Sequence, residues 1–192
     1  TTYANGRTRI EQTDMYGHTV QTTDMGGYVA SISFDKAGRT ATRSYGGEVT
    51  AYTWFNTELI GRVATGFGNA ATAPYNEGED YALTVQTSTY DANGNKLSEQ
   101  SHKEDGKWRW HEDELGGYWN YESNYQTLQN ATATYDALGR LKTWNEAGTT
   151  TTSEASTTHD YDANGNIRRT QASFRHLDTN GAPSGTVTTT DS

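Results

Sequence analysis

The 192-residue chain contains no cysteine. A disulfide framework and a thiolate zinc site are thereby excluded, and the redox compartment is left open. Proline occurs only at Pro74 and Pro183. Basic residues are also few: 15 lysines and arginines stand against 24 aspartates and glutamates, a formal charge of −9. Nucleic acid and anionic membrane both require clustered cations, so neither is an expected partner; the pair Arg168-Arg169 reads as a solvated strand end. No run of about 18 apolar residues exists, so no membrane insertion is expected. The opening TTYANGRTRI does not have the build of a signal peptide. Helical periodicity is missing throughout.

Apolar residues make up only 32% of the chain, with a mean hydropathy of −0.92. Such polarity is common in disordered chains, but 13 Tyr, 5 Trp and 4 Phe supply large surfaces that disordered chains lack. The expectation is a folded but wet protein. Abundant Thr, Tyr, Val and Trp favour strands, and 20 glycines punctuate them.

A repeat dominates the sequence. Its strongest copies are YDANGN at 90–95, YDALGR at 135–140 and YDANGN at 161–166, with FDKAGR at 34–39 as a close variant. The residues that define them are Tyr90, Asp91 and Gly94; Tyr135, Asp136, Gly139 and Arg140; Tyr161, Asp162 and Gly165; and Phe34, Asp35, Gly38 and Arg39. Relaxing the pattern to Asp-x-x-Gly adds Asp14 to Gly17, Asp24 to Gly27, Asp113 to Gly116 and Asp178 to Gly181. Weaker echoes are TYANGR at the start, Glu58 to Arg62, and Asn145 to Gly148. Early in the chain Gly6, Gly17, Gly27, Gly38 and Gly47 recur at the interval of one strand plus one turn.

The pattern has a local cause. Asp at the first turn position accepts hydrogen bonds from amides two residues on, and Gly takes the left-handed conformation that closes a hairpin with a bulge. The aromatic before Asp ends one strand and can pack across onto its neighbour. Between these turns Tyr161, Ile167, Thr170 and Phe174 fall among polar residues, as in strands wet on at least one side. The predicted class is all-β, a series of hairpins in an antiparallel sheet, over a single region 1–192. Irregular insertions are expected near 65–79 and 147–157, the latter either a surface loop or a strand with a polar face. The start at Thr1 and the end inside GTVTTTDS suggest a fragment of something longer.

The repeat resembles the YD repeats of the RHS family, found in bacterial RHS proteins, in cocoon-forming components of insecticidal toxin complexes and in animal teneurins. That resemblance implies a spiralling antiparallel sheet forming a hollow shell, flanked by further repeats and sometimes enclosing a C-terminal toxin domain of the same polypeptide. It also implies a secreted or cell-surface location on a bacterium. RHS cores usually end in a proline-containing segment with an aspartate self-cleavage site, and no Asp-Pro pair is present at Pro74 or Pro183. The family's catalytic residues therefore have no counterparts here.

Other chemistries find little purchase. Asp91-Ala-Asn93-Gly94-Asn95 and its twin at Asp162 alternate oxygen ligands as calcium loops do, but Lys96 and His102, or Ile167 and Ser173, stand where an EF-hand needs Gly and Glu. Turn chemistry accounts for both, and no metal or cofactor is expected. Carboxylates in HEDE at 111–114 suit a charged hairpin tip better than an acid–base pair. His18, His102, His111, His159 and His176 show no metal-binding spacing. No phosphate loop or nucleophile elbow is present, so no catalytic residue is expected and the chain reads as a non-enzyme. The cluster Trp108, Trp110, Tyr118, Trp119, Tyr121 and Tyr125 is the best candidate ligand surface, for a glycan or a cell-surface partner. The alternative for these rings is cross-strand packing, with Trp108 and Trp110 on one strand face.

Overall fold

The computed structural model describes residues 2, 8–68, 70–72, 80–113, 116–149, 153–180 and 182–192. All thirteen elements among them are β-strands, and each is the sheet neighbour of the next in sequence. They are β1 (Ile10–Thr13), β2 (Thr19–Thr23), β3 (Val29–Phe34), β4 (Thr40–Tyr45), β5 (Glu48–Trp54), β6 (Ile60–Phe67), β7 (Tyr81–Tyr90), β8 (Lys96–Asp113), β9 (Gly116–Tyr135), β10 (Leu141–Glu146), β11 (Ala155–Tyr161), β12 (Ile167–Leu177) and β13 (Pro183–Asp191). The predicted all-β hairpin architecture is what the chain adopts. The sheet is open, with β1 and β13 at its two margins. Among the described residues no helix is long and apolar enough to cross a membrane.

Contacts divide the chain into two compact units, Thr1–Val85 with Glu104–Asn124, and Gln86–Lys103 with Tyr125–Ser192. Strands β7, β8 and β9 contribute to both. In the first unit Ala64, Leu83, Val85 and Ala71 form a small apolar cluster, flanked by Val49, Ala51 and Tyr81. In the second, Ala131 and Ala133 are buried. No large side chain is fully buried among the described residues, so ladder hydrogen bonds and cross-strand pairs carry much of the cohesion.

Hydroxyl pairs illustrate this. Ser33 meets Thr42 at 2.6 Å, Thr89 meets Ser98 at 2.6 Å and Thr134 meets Thr143 at 2.6 Å. Each pair flanks a turn in the same way, one residue before the aromatic and nine residues later. Ser31–Ser44 and Ser156–Ser173 add further rungs at 2.5 and 2.6 Å.

Several boundaries differ from expectation. The echo at 58–62 is not a turn: Gly61 lies inside β6, and the turn sits earlier, where the Phe55 amide donates to the Leu59 carbonyl at 3.0 Å. Phe55 occupies the place that Asp holds elsewhere, so the Asp signal is missing. Asn145 and Glu146 belong to β10 instead of a turn. Asp113 ends β8 and Gly116 opens β9, so both are strand residues. The expected insertions are shorter than 65–79 and 147–157, because β6 continues to Phe67 and β11 begins at Ala155. Residues 73–79 with Pro74, residues 150–152, residues 3–7 of the TYANGR start with Gly6, Glu114 and Gly181 lie outside the described residues.

Candidate functional site: carboxylate turns and an aromatic arm

Five turns share one construction. The amides of Asp14, Asp35, Asp91, Asp136 and Asp162 donate to the carbonyls of His18, Arg39, Asn95, Arg140 and Asn166 at 2.8–2.9 Å. The amides of Gly17, Gly38, Gly94, Gly139 and Gly165 return to the Asp carbonyls at 3.0–3.1 Å. These glycines have φ between +76 and +88°, the left-handed region where a Cβ is penalised. Each Asp Oδ1 accepts two amides, those of the second and fourth residues onward, as Asp136 does from Leu138 and Arg140 at 2.9 and 3.0 Å.

The second carboxylate oxygen is used as well. Asp Oδ2 accepts from the side chain of the fourth residue: His18 Nδ1 at 3.0 Å, Arg39 Nε at 2.9 Å, Asn95 Nδ2 at 2.8 Å, Arg140 Nε at 2.6 Å and Asn166 Nδ2 at 3.1 Å. Hydrogen bonding to the charged form lowers a carboxyl's pKa. Asp35 is held below the usual carboxylate value by the Arg39 amide first, and by its guanidinium. Asp91, Asp136 and Asp162 are lowered by the side chains of Asn95, Arg140 and Asn166 respectively. Reduced hydration pushes Asp14 upward, but the His18 amide and ring and the Tyr16 amide outweigh it.

The ends of the sheet are not equivalent. In the first unit the turns at Asp14, Asp35 and Phe55 lie at one end, because each joins an odd strand to the following even one. In the second unit the turns at Asp91, Asp136 and Asp162 do the same. The turns at Asp24 and Asp178 lie at the opposite ends of their units. They keep the two Oδ1 bonds, but the fourth residues, Tyr28 and Ala182, bring no donor to Oδ2. The β4–β5 connection is a tight Gly46-Gly47 turn with both φ positive, 60 and 89°.

Successive turns are braced to each other by the aromatic that precedes the Asp position. Tyr161 donates its hydroxyl to the Leu141 carbonyl at 2.7 Å, Tyr135 to the Lys96 carbonyl at 2.9 Å, and the Trp54 indole N–H to the Thr40 carbonyl at 2.7 Å. Every acceptor is the fifth residue after the preceding turn's Asp. The rings also cover the preceding turn's fourth residue: Arg140 lies 4.3 Å from the Tyr161 ring centre and Arg39 5.5 Å from that of Trp54. Phe34, with no polar tip, meets His18 at 5.0 Å between ring centres. Tyr90 closes β7 immediately before the Asp91 turn. Arg39 reaches further, donating to the Phe55 and Thr57 carbonyls at 2.7 Å each.

The aromatic cluster sits on the distal part of the β8–β9 hairpin, in the first unit. Trp108 meets Tyr121 edge-on at 5.4 Å, and Trp110 meets Trp119 edge-on at 5.5 Å. A Cβ at Gly117 would overlap the Trp110 indole, and one at buried Gly106 would overlap Tyr121 and Tyr81. These rings therefore cover backbone that has no side chain of its own. They remain open to solvent all the same: Trp110 is 54% and Trp119 62% exposed. Tyr118 instead stacks on His111 at 5.6 Å, and Tyr125, in the second unit, stacks on His102 at 4.6 Å. Within HEDE, His111 Nε2 lies 2.7 Å from Glu122 Oε1, whose other oxygen takes Arg109 Nε at 2.7 Å. The Asp80 carboxylate accepts the Trp108 amide at 3.0 Å.

Among the described residues no group of three or more His, Asp or Glu is placed to hold a metal ion. Arg169 is engaged with Asp191, its Nε donating to Oδ1 at 2.8 Å.

No protein-family model and no curated protein matches the chain. Among solved structures it is similar to a chain of the Tc holotoxin pore of Photorhabdus luminescens with a mutated TccC3, at 10% identity and a TM-score of 0.29, covering 91% of this chain and 13% of that one. It is also similar to TcdB2-TccC3, at 13% identity and a TM-score of 0.23, covering 92% and 14%. TcdB2-TccC3 without its hypervariable C-terminal region gives 13% identity, a TM-score of 0.24, and coverage of 89% and 12%. The chain thus spans only 12–14% of the length of these proteins.

Proposed function

We propose that the chain is a wall segment of an RHS-type, YD-repeat shell, a scaffold that encloses or presents another polypeptide and supplies no catalytic residues of its own. The observation that carries this reading is the brace between consecutive turns, repeated at Trp54, Tyr135 and Tyr161. A carboxylate spent on its own turn and an aromatic spent on the preceding one build a sheet that can be extended hairpin by hairpin. The family resemblance adds a toxin domain as the enclosed polypeptide, and a secreted or cell-surface setting in a bacterium.

Limited proteolysis of the full-length protein tests this. An enclosed domain is cut slowly in native buffer and rapidly once urea opens the shell. Equal cleavage rates in the two conditions would sink the enclosing role.

A further inference from the structure

Two of the five like-built turns carry a group that the turn itself does not use. The place before the glycine is held by Tyr16, Ala37 and Leu138 in three of them and by Asn93 and Asn164 in the other two. The backbone amide at this place donates to Asp Oδ1 whatever the side chain: Tyr16 and Ala37 at 2.8 Å, Asn93, Leu138 and Asn164 at 2.9 Å. Asparagine's tolerance of left-handed dihedrals is not used, because among the described residues only glycines have a positive φ. The Asn93 and Asn164 side chains are exposed and engage no partner among the described residues.

What sets these two turns apart chemically is the pair Asn-Gly. A side-chain carboxamide stands one residue before a backbone nitrogen whose own residue has no Cβ to obstruct its approach. We infer that Asn93 and Asn164 are sites of self-modification, where the neighbouring glycine nitrogen converts asparagine to isoaspartate and aspartate whenever the turn opens. The Gly94 nitrogen gives up its hydrogen to solvent base and bonds to Asn93 Cγ; the Cγ–Nδ2 bond breaks and ammonia leaves, closing a five-membered succinimide. Water then adds to one of the two ring carbonyls. Cleavage between the nitrogen and Cγ leaves aspartate, and cleavage between the nitrogen and the Asn93 carbonyl carbon leaves isoaspartate, with the main chain routed through Cγ. The net change is one water gained and one ammonia lost, and Gly165 acts on Asn164 in the same way.

The fold restrains the first step. The Gly94 amide donates to the Asp91 carbonyl and the Gly165 amide to the Asp162 carbonyl, at 3.1 Å each. That bond must be released before the nitrogen can attack. The bonds from Asn95 Nδ2 to Asp91 Oδ2 and from Asn166 Nδ2 to Asp162 Oδ2 hold the same turns shut. Isoaspartate adds one backbone atom to the loop closed by the Asp91 amide and the Asn95 carbonyl, so the turn cannot close again as it was. At Asn93 the change falls three residues before Lys96, whose carbonyl receives the Tyr135 brace. The inference is independent of the shell reading.

The test incubates the 192-residue chain in mildly alkaline buffer, with and without urea, and maps it by mass spectrometry with electron-transfer fragmentation to separate isoaspartate from aspartate. Modification is expected at Asn93 and Asn164 ahead of Asn95, Asn145 and Asn166, which precede Lys96, Glu146 and Ile167. Isoaspartate and aspartate should appear together, as a shared cyclic intermediate requires. Urea should raise both rates by about tenfold or more, the factor for turns that are open no more than about a tenth of the time. Asp91→Ala, which removes the carboxylate from one turn, should speed Asn93 in native buffer and leave Asn164 unchanged. Gly94→Ala, compared with the unsubstituted chain in urea where folding plays no part, should slow Asn93 several-fold and not Asn164. Aspartate without isoaspartate would overturn the cyclisation, and so would an unchanged Asn93 rate in Gly94→Ala. Modification of Asn95 or Asn145 as fast as Asn93 would overturn the choice of sites. Equal rates with and without urea, or equal acceleration of Asn93 and Asn164 by Asp91→Ala, would overturn the control by the individual turn.

Discussion

The Tyr161 hydroxyl reaches the Leu141 carbonyl, 20 positions back in sequence, at 2.7 Å. That one bond joins the turn at Asp162 to the turn at Asp136, and the Arg140 guanidinium over the same ring adds a second link. Removing the two links separately measures what each contributes. Tyr161→Phe keeps the ring and loses the hydrogen bond, for an expected loss of about 1 kcal/mol. Tyr161→Leu also loses the cation–π contact, about 0.5–1 kcal/mol more. Urea denaturation of both variants checks this; an unchanged midpoint for Tyr161→Phe would show that the hydroxyl brace adds nothing.

The two classes of Asp turn should respond differently to truncation. Asp136 accepts two amides and the Arg140 guanidinium, whereas among the described residues Asp178 accepts the amides of Asn180 and Ala182 alone. Asp136→Ala should therefore lower the urea midpoint more than Asp178→Ala, with Asp136→Asn between them. The reverse order would mean that the side-chain donor is irrelevant to the turn.

Acid should destabilise the sheet through its turns. Asp14, Asp35, Asp91, Asp136 and Asp162 all have folded-state pKa values below the usual one. A depressed carboxyl contributes stability that is complete above the unfolded value of about 3.9 and is lost as pH falls through the folded value. Circular dichroism from pH 7 to pH 2 should show stability level at the upper end and falling below about pH 4. The fall should be smaller in a variant with Asn at Asp91, Asp136 and Asp162.

Glycine substitutions separate turn geometry from mere space. Gly17 and Gly165 have nothing crowding a Cβ that would need to move, yet they have φ of 86 and 88°. Alanine at either should lose about 1–2 kcal/mol from backbone strain alone. Gly185, in β13, has open space and no such φ, so Gly185→Ala should be neutral or slightly stabilising. Thermal melts of the three variants decide it.

Strands and turns were readable where a local cause wrote them. Asp at the first turn position and Gly at the fourth are both required by bonds within five residues, so 35–39, 91–95, 136–140 and 162–166 stand out in the text. The turn at Phe55 was invisible for the same reason, since it closes by backbone bonds without the carboxylate. The braces could not be read, because Tyr135 and Lys96 are 39 residues apart and nothing local ties them. The hydroxyl pairs left a usable signal: Ser or Thr before the aromatic and again nine residues on, at Ser33 and Thr42, Thr89 and Ser98, and Thr134 and Thr143. In the YDANGN copy at 161–166 those places hold Asp160 and Arg169, which face each other across the strands. The aromatic cluster was recognised as a group, but its split could not be foreseen, since Tyr118 and Tyr125 depend on where His111 and His102 fall.

The inequality between the ends of the strands has an evolutionary corollary. At the braced end the hairpins that carry Trp54, Tyr135 and Tyr161 each answer to their predecessor, so a change in turn length there breaks two connections at once. At the other end the connections range from the two residues Gly46-Gly47 to the long reach of β8 and β9, whose 18 and 20 residues begin and finish at ordinary Asp91 and Asp136 turns. One margin of each unit behaves like the bound edge of a fabric and the other like its fringe. Insertions, new arms and new specificities can collect along the fringe while the weave is left as it was.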